Sequence, residues 1–171
     1  MGSVGQLLNA AMKLEPPTTH YLNAAQGWLE LGNAAEASAE LELIAPALQT
    51  HPEVLEMRWQ ICAQAQKWQQ CIVVAEEMLA VAPGRVLGWI HRSYALHELK
   101  RTREALEALL PALVKFPKDW LVQYNLACYC CRLNELARAR HFLEQACDLG
   151  NAKEIKAMAL KDTDLLELWE G

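Results

Sequence analysis

Apolar residues return along this chain at helical spacing, in stretches separated by short polar turns. Tyr21, Ala25 and Trp28 fall three and four residues apart, the interval that sets side chains on one face of a helix. The turns themselves recur. LGNAAEASAEL from Leu31, AQKWQQCIVVA from Ala65, LKRTREALEAL from Leu99 and LNELARARHFL from Leu133 begin at equal intervals along the chain. Ala37, Cys71, Ala105 and Ala139 therefore share one column. An apolar helical pattern precedes each turn, and another follows it and ends near Pro52, Pro83, Pro117 or the Gly150-Asn151 pair. Proline fits such an end, because it cannot continue a helix and biases the preceding residue away from helical angles. The pattern predicts a helix, turn, helix unit used repeatedly.

Composition agrees. Alanine, leucine, glutamate and glutamine dominate, glycine and proline are few, and β-branched runs are nearly confined to CIVVAEE, so intrinsic preference is helical almost throughout. A chain of 171 residues buries roughly two thirds of the surface its unfolded form exposes, enough for a core without staples.

These units resemble the tetratricopeptide repeat, a helical hairpin whose period matches the interval between the turns. The third, WIHRSYALHELKRTREALEALLPALVKFP, carries Trp89, Ser93, Leu96, Ala105, Leu109, Ala112 and Pro117 at the family's positions. The fourth supplies Leu126, Ala127, Cys130, Ala139, Leu143 and Ala146, and the first supplies Tyr21, Ala25, Trp28, Gly32, Ala37, Leu41 and Ile44. The resemblance implies an all-α fold, a right-handed α-solenoid, with repeats at 18-51, 52-85, 86-119 and 120-151. Residues 1-17 would form an N-terminal capping helix, from Ser3 to Leu14, and linker. Residues 152-171 would form a C-terminal cap, with a helix from Ala152 to Lys161 on which Leu165, Leu168 and Trp169 fold back. Four departures from the pattern stand out. Trp59 sits where a small residue is expected, Arg58 and Arg92 replace leucine, and Ala75 replaces a large residue. The PAL that opens at Pro46 and the PAL that opens at Pro111 stand three positions closer than two full periods, which predicts a longer second helix in the first repeat and a late start after Pro52. Pro46 and Pro111 predict kinks.

Charge narrows the partners. Sixteen basic against 21 acidic residues give a net of −5, and the only basic cluster is Lys100, Arg101 and Arg103, too small for the stripe that nucleic-acid binding requires. No apolar run reaches the roughly 18 residues of a membrane span, and there is no basic start followed by a long apolar stretch. The expectations are a cytoplasmic protein, no nucleic acid and no membrane. MGSVGQ fails as a myristoylation site because Gln6 replaces serine or threonine.

Six cysteines invite metal or redox readings. In the repeat frame Cys62 and Cys130 fall in a large-residue column and Cys71 in the alanine column, where cysteine acts as a small hydrophobe. Cys128 and Cys131, three apart on a helix and therefore on one face, could meet His97 in a zinc-like corner that lacks a fourth ligand. Packed or groove thiols are the expectation, with no metal and no cofactor. His20, His51, His91 and His141 show no relay spacing, and no P-loop, dinucleotide loop, nucleophile elbow or HExxH is present. No catalytic role is assigned.

In tetratricopeptide proteins the first helices line an inner groove. The resemblance projects Thr19, Leu22, Gln26 and Leu29, then Glu53, Glu56, Gln60 and Ala63, then Leu87, Ile90, Tyr94 and His97, then Leu121, Tyr124, Cys128 and Cys131 onto it. Each set recurs at three or four residues, which is a helical face in its own right. Such a surface, acidic at Glu53 and Glu56 and apolar with tyrosines later, suits a protein or peptide partner with apolar anchors and basic residues. Self-association as a homodimer is the alternative use. Leu22 and Gln26 stand where some family members carry a lysine and asparagine carboxylate clamp, so that clamp is absent. The leading expectation is a non-catalytic interaction scaffold. The alternatives are a secretion-type chaperone for an exported protein, and a metal or redox protein using Cys128, Cys131 and His97.

Overall fold

The computed structural model describes residues 12 to 169. The helix expected from Ser3 falls mostly outside the described residues. Its described end, Met12 to Leu14, is not helical, and Leu14 instead enters the core with Ala25, Leu29 and Ile44. Among the described residues every regular element is helical, and no helix is long and apolar enough to cross a membrane.

The chain divides into two compact units, Met1–His91 and Arg92–Gly171. In the first, α1 (Thr18–Glu30) pairs with α2 (Ala34–Glu42), a 3₁₀ turn covers Pro46–Leu48, and α3 (Pro52–Gln64) pairs with α4 (Trp68–Val81). Helix α5 (Leu87–Glu98) begins there. The second unit holds the rest of α5, then α6 (Thr102–Leu109), the short α7 (Ala112–Lys115), α8 (Trp120–Arg132), α9 (Leu136–Leu149), α10 (Ala152–Ala159) and a 3₁₀ turn, Thr163–Leu168.

One bend is built four times. Gly32, Gln66, Lys100 and Asn134 have φ of 77°, 53°, 64° and 60°, the left-handed region that closes a helix. The amide after each reaches back five residues: Asn33 N to Trp28 O at 2.8 Å, Lys67 N to Cys62 O at 2.9 Å, Arg101 N to Leu96 O at 3.0 Å and Glu135 N to Cys130 O at 2.8 Å. This satisfies carbonyls that a helix end would otherwise orphan. Five residues after each left-handed position, Ala37, Cys71, Ala105 and Ala139 are fully buried. Small side chains there let the paired helices approach closely, so turn chemistry and packing follow the same repeating interval.

Pro46 acts otherwise than expected. Helix α2 is shorter, not longer. Ala45 takes the extended angles that a following proline favours, and Pro46 opens the 3₁₀ turn. Gln49 Nε2 donates to Leu41 O and Ile44 O, both at 2.8 Å, satisfying the carbonyls left by the broken helix. The Arg58 guanidinium holds the Gln49 side chain in turn. Helix α3 then starts at Pro52 itself, its first-turn position, where a missing N–H costs nothing. His51 caps it, with its ring Nδ1 accepting from Glu53 N at 3.3 Å. At Pro111 the second helix divides into α6 and α7, but Leu110 and Pro111 keep right-handed helical angles, an interruption of the expected kinked kind rather than the extended break at Ala45.

Candidate functional site

Helix α3 sets Glu53, Glu56 and Gln60 on one face by their spacing of three and four. They border a cavity of about 220 Å³ with Met78 of α4 and Leu87 of α5, and Arg85 stands at its edge. Four of the projected groove residues therefore converge on one hollow. Gly88 lets α5 lie close against α4, since a Cβ there would lie 3.1 Å from the Leu79 side chain. Gln60 Nε2 donates to Glu56 Oε1 at 3.1 Å, and His91 Nε2 lies 3.0 Å from both Glu56 oxygens. Burial pushes the Glu56 carboxyl up, but the His91 hydrogen bond and charge, with Gln60, outweigh it and hold the group below its ordinary value. Trp59 stacks on His91 with ring centroids 3.8 Å apart and planes 6° from parallel. The indole in the small-residue position is thus a floor for the histidine.

Other projected residues of the first unit lie elsewhere. Gln26 is exposed and bonds Glu30 at 3.0 Å, Leu22 and Ala63 are half-buried, and Leu29 and Ile90 are buried. Ile90 is therefore core rather than groove wall.

In the second unit the expectation of an open face along α8 is corrected. Tyr124, Cys128, Cys131 and His97 are buried, while Tyr94 stays 38% exposed and Leu121 partly so. The cover is the C-terminal 3₁₀ turn. It packs on α8 and α9, and Trp169 returns to α10, with Nε1 donating to Ala159 O at 3.4 Å. Tyr124 Oη donates to Asp162 Oδ2 at 2.8 Å, and His97 contacts Thr102 Oγ1 and Asp164 Oδ2, each at 3.0 Å. Burial, then the Asp162 hydrogen bond, pushes the Tyr124 hydroxyl up.

The cysteines are inward. Burial, then the charge of Asp162, raises the Cys128 thiol well above its ordinary value, and burial with Glu167 pushes Cys131 up to about 11. Both stay protonated near neutrality, which disfavours thiolate ligation and redox attack. Among the described residues no three histidine, cysteine or acidic side chains are placed to hold a metal ion. Cys62 departs from core filler: it is half-exposed, and its thiol is lowered to about 7, first by a hydrogen bond with Cys71.

Sequence reasoning missed two features. His91 stands one repeat plus one position after Glu56, and that register could have paired them. A cavity of about 550 Å³ also lies among Arg140, Leu143, Cys147, Lys156, Leu168 and Trp169, where no periodic signal marked it.

No protein-family model and no curated protein sequence matches the chain. Solved structures do. "MamA 41-end from Desulfovibrio magneticus RS-1" is 20% identical at a TM-score of 0.67, covering 92% of each chain. "MamA RS-1 ArsTM double mutant" is 13% identical at 0.66, covering 82% of this chain and 79% of that one. "MamA MSR-1 C2" is 17% identical at 0.63, covering 80% and 78%. The likeness shows the fold: an all-α solenoid of tetratricopeptide-like helical hairpins.

Proposed function

We propose that this chain is a non-catalytic interaction scaffold that binds a segment of a partner protein on its first-helix faces. The observation that carries the reading is the convergence of Glu53, Glu56, Gln60 and Leu87 on one hollow from two helices. Acids beside an apolar wall suit a short segment with an apolar anchor and a neighbouring lysine or arginine. Glu56 is held ionised by His91, and exposed Glu53 supplies a second negative charge in the first turn of α3. A hollow of this size takes one side chain, so most of the affinity would come from the anchor.

The test is an array of short peptides probed with the full chain and with a Glu53→Lys, Leu87→Lys variant. Peptides pairing a large apolar residue with a basic one should bind the parent and lose about tenfold on the variant, the effect of roughly 1.4 kcal/mol. An exposed control, Glu107→Lys on α6, should leave binding unchanged. Equal binding by all three proteins would exclude this hollow as the site.

A further inference from the structure

The α8 face of the second unit already holds a peptide, residues 162 to 168 of the same chain. After α10 the backbone turns through Leu160 and Lys161. Asp162 then caps the 3₁₀ turn, with Oδ1 accepting from Asp164 N at 2.9 Å. Two kinds of contact hold Thr163–Leu168 in place. Leu165 and Leu168 are buried, at 0% and 5% exposure. Each acid meets a donor, with Arg132 shared between Asp164 and Glu167. Asp162 Oδ2 accepts from Tyr124 Oη at 2.8 Å and Cys128 Sγ at 3.7 Å, and Asp164 lies 3.0 Å from His97 Nε2 and 3.6 Å from Arg132 Nε. Glu167 accepts from Arg132 Nη1 and Cys131 Sγ, both at 3.3 Å. Closing the end of a helical stack needs only apolar cover, and α10 already packs on α9. The acid-by-acid pairing is additional and chemically selective.

We propose that the face formed by His97, Tyr124, Cys128, Cys131 and Arg132 docks an acidic, leucine-bearing segment of a partner protein, with residues 162 to 168 as its intramolecular competitor. The partner segment carries the pattern Asp-x-Asp-Leu-x-Glu-Leu, the chemistry the face accepts from its own chain. The competitor is displaceable. The Arg132–Glu167 ion pair is partly exposed, with each side chain at 45%, so it adds little. A 3₁₀ turn also has weaker internal hydrogen bonds than an α-helix. A foreign segment is favoured over the tail of a second copy because only Leu160 and Lys161 separate α10 from Asp162, leaving little chain to span between molecules. Tethering gives the native turn an effective concentration of order millimolar, so it sets the affinity a partner must exceed.

The inference rests on the scaffold reading in taking the protein to act by binding, but it uses another surface and another peptide charge. Failure here with intact binding of basic peptides at Glu53 would count against this inference alone. The probe is a fluorescein-labelled peptide of residues 162 to 168, followed by anisotropy. The full chain carrying Asp164→Asn and Leu165→Ala, which loosens the native turn, should bind it at least about tenfold more tightly than the parent. Adding Arg132→Glu should reverse the gain, and a peptide with lysines for its acids should not compete. No gain in a loosened chain that keeps its helical circular dichroism overturns the proposal. Should that variant fail to fold, hydrogen exchange of the parent with millimolar unlabelled peptide decides: amides 162 to 168 should exchange several-fold faster, and unchanged exchange overturns it. A parent dimer in sedimentation that Leu165→Ala abolishes would assign the face to a second copy, and would also overturn it.

Discussion

Three left-handed positions among the described residues are not glycine, and replacing two of them, Gln66 and Lys100, by glycine should stabilise the protein. A non-glycine residue held in the left-handed region costs roughly 1–2 kcal/mol, and glycine's freedom in the unfolded chain returns about 0.4–1 kcal/mol of that. Gln66→Gly and Lys100→Gly, at φ of 53° and 64°, should each gain about 0.5–1 kcal/mol. Asn134→Gly should change little, because asparagine tolerates the region through local hydrogen bonding. Gly32→Ala should lose a similar amount with no packing contribution, since a Cβ there meets nothing within 4 Å. Urea unfolding by circular dichroism measures the changes, and amide exchange assigns each to its unit, Gly32 and Gln66 to the first and Lys100 and Asn134 to the second. A helix-interior position would respond oppositely, losing about 1 kcal/mol on substitution by glycine. If Gln66→Gly and Lys100→Gly both destabilise, the bends are not the recurrent left-handed caps described, and the repeat frame falls with them.

Asp164 is held below its ordinary value of 3.8, first by the His97 hydrogen bond and further by the charges of His97, Arg132 and Lys100. A depressed folded-state pKa stabilises above the unfolded value and stops doing so as pH falls through the folded one. Exchange protection of residues 162 to 168 should therefore weaken as pH drops below about 4, and Asp164→Asn should show the weaker protection already at pH 7. Ala139→Leu, in the fully buried small column, should cost about 1–3 kcal/mol by overpacking, read in the same urea experiment. Iodoacetamide at pH 7.5 followed by peptide mass spectrometry should modify half-exposed Cys62 well before Cys128. Equal rates would contradict the burial and hydrogen bonding assigned to them.

The helical hairpins were legible because two signals reinforced each other. The small column at Ala37, Cys71, Ala105 and Ala139 and the polar bends before it recur together, and each constrains the other physically. Pro46 was legible as an interruption but not as the kind of interruption. A kink and a break differ in whether other groups can satisfy the freed carbonyls. At Pro46 that depends on Gln49 and Arg58, whose reach is tertiary rather than periodic. The offset of three positions between the two PAL segments was real in the sequence, yet it shortened a helix rather than lengthening one.

Periodicity identifies which side chains share a face, but not what lies on that face. Glu53, Glu56 and Gln60 share one side of α3 by spacing, and Tyr124, Cys128 and Cys131 share one side of α8. The groups differ in their neighbours. One borders an open hollow and the other lies under the 3₁₀ turn of the same chain. The sequence of that turn, DTDLLEL, marked Leu165 and Leu168 as apolar cover but did not show that they cover α8. Its meaning comes from pairing: Asp162 with Tyr124, Asp164 with His97, Glu167 with Arg132, and two leucines between them in the core. Generic apolar cover would tolerate any charge at those three positions. Three acids each facing a donor do not, so substituting lysine at Asp162, Asp164 or Glu167 should strip protection from the turn while leaving α10 in place.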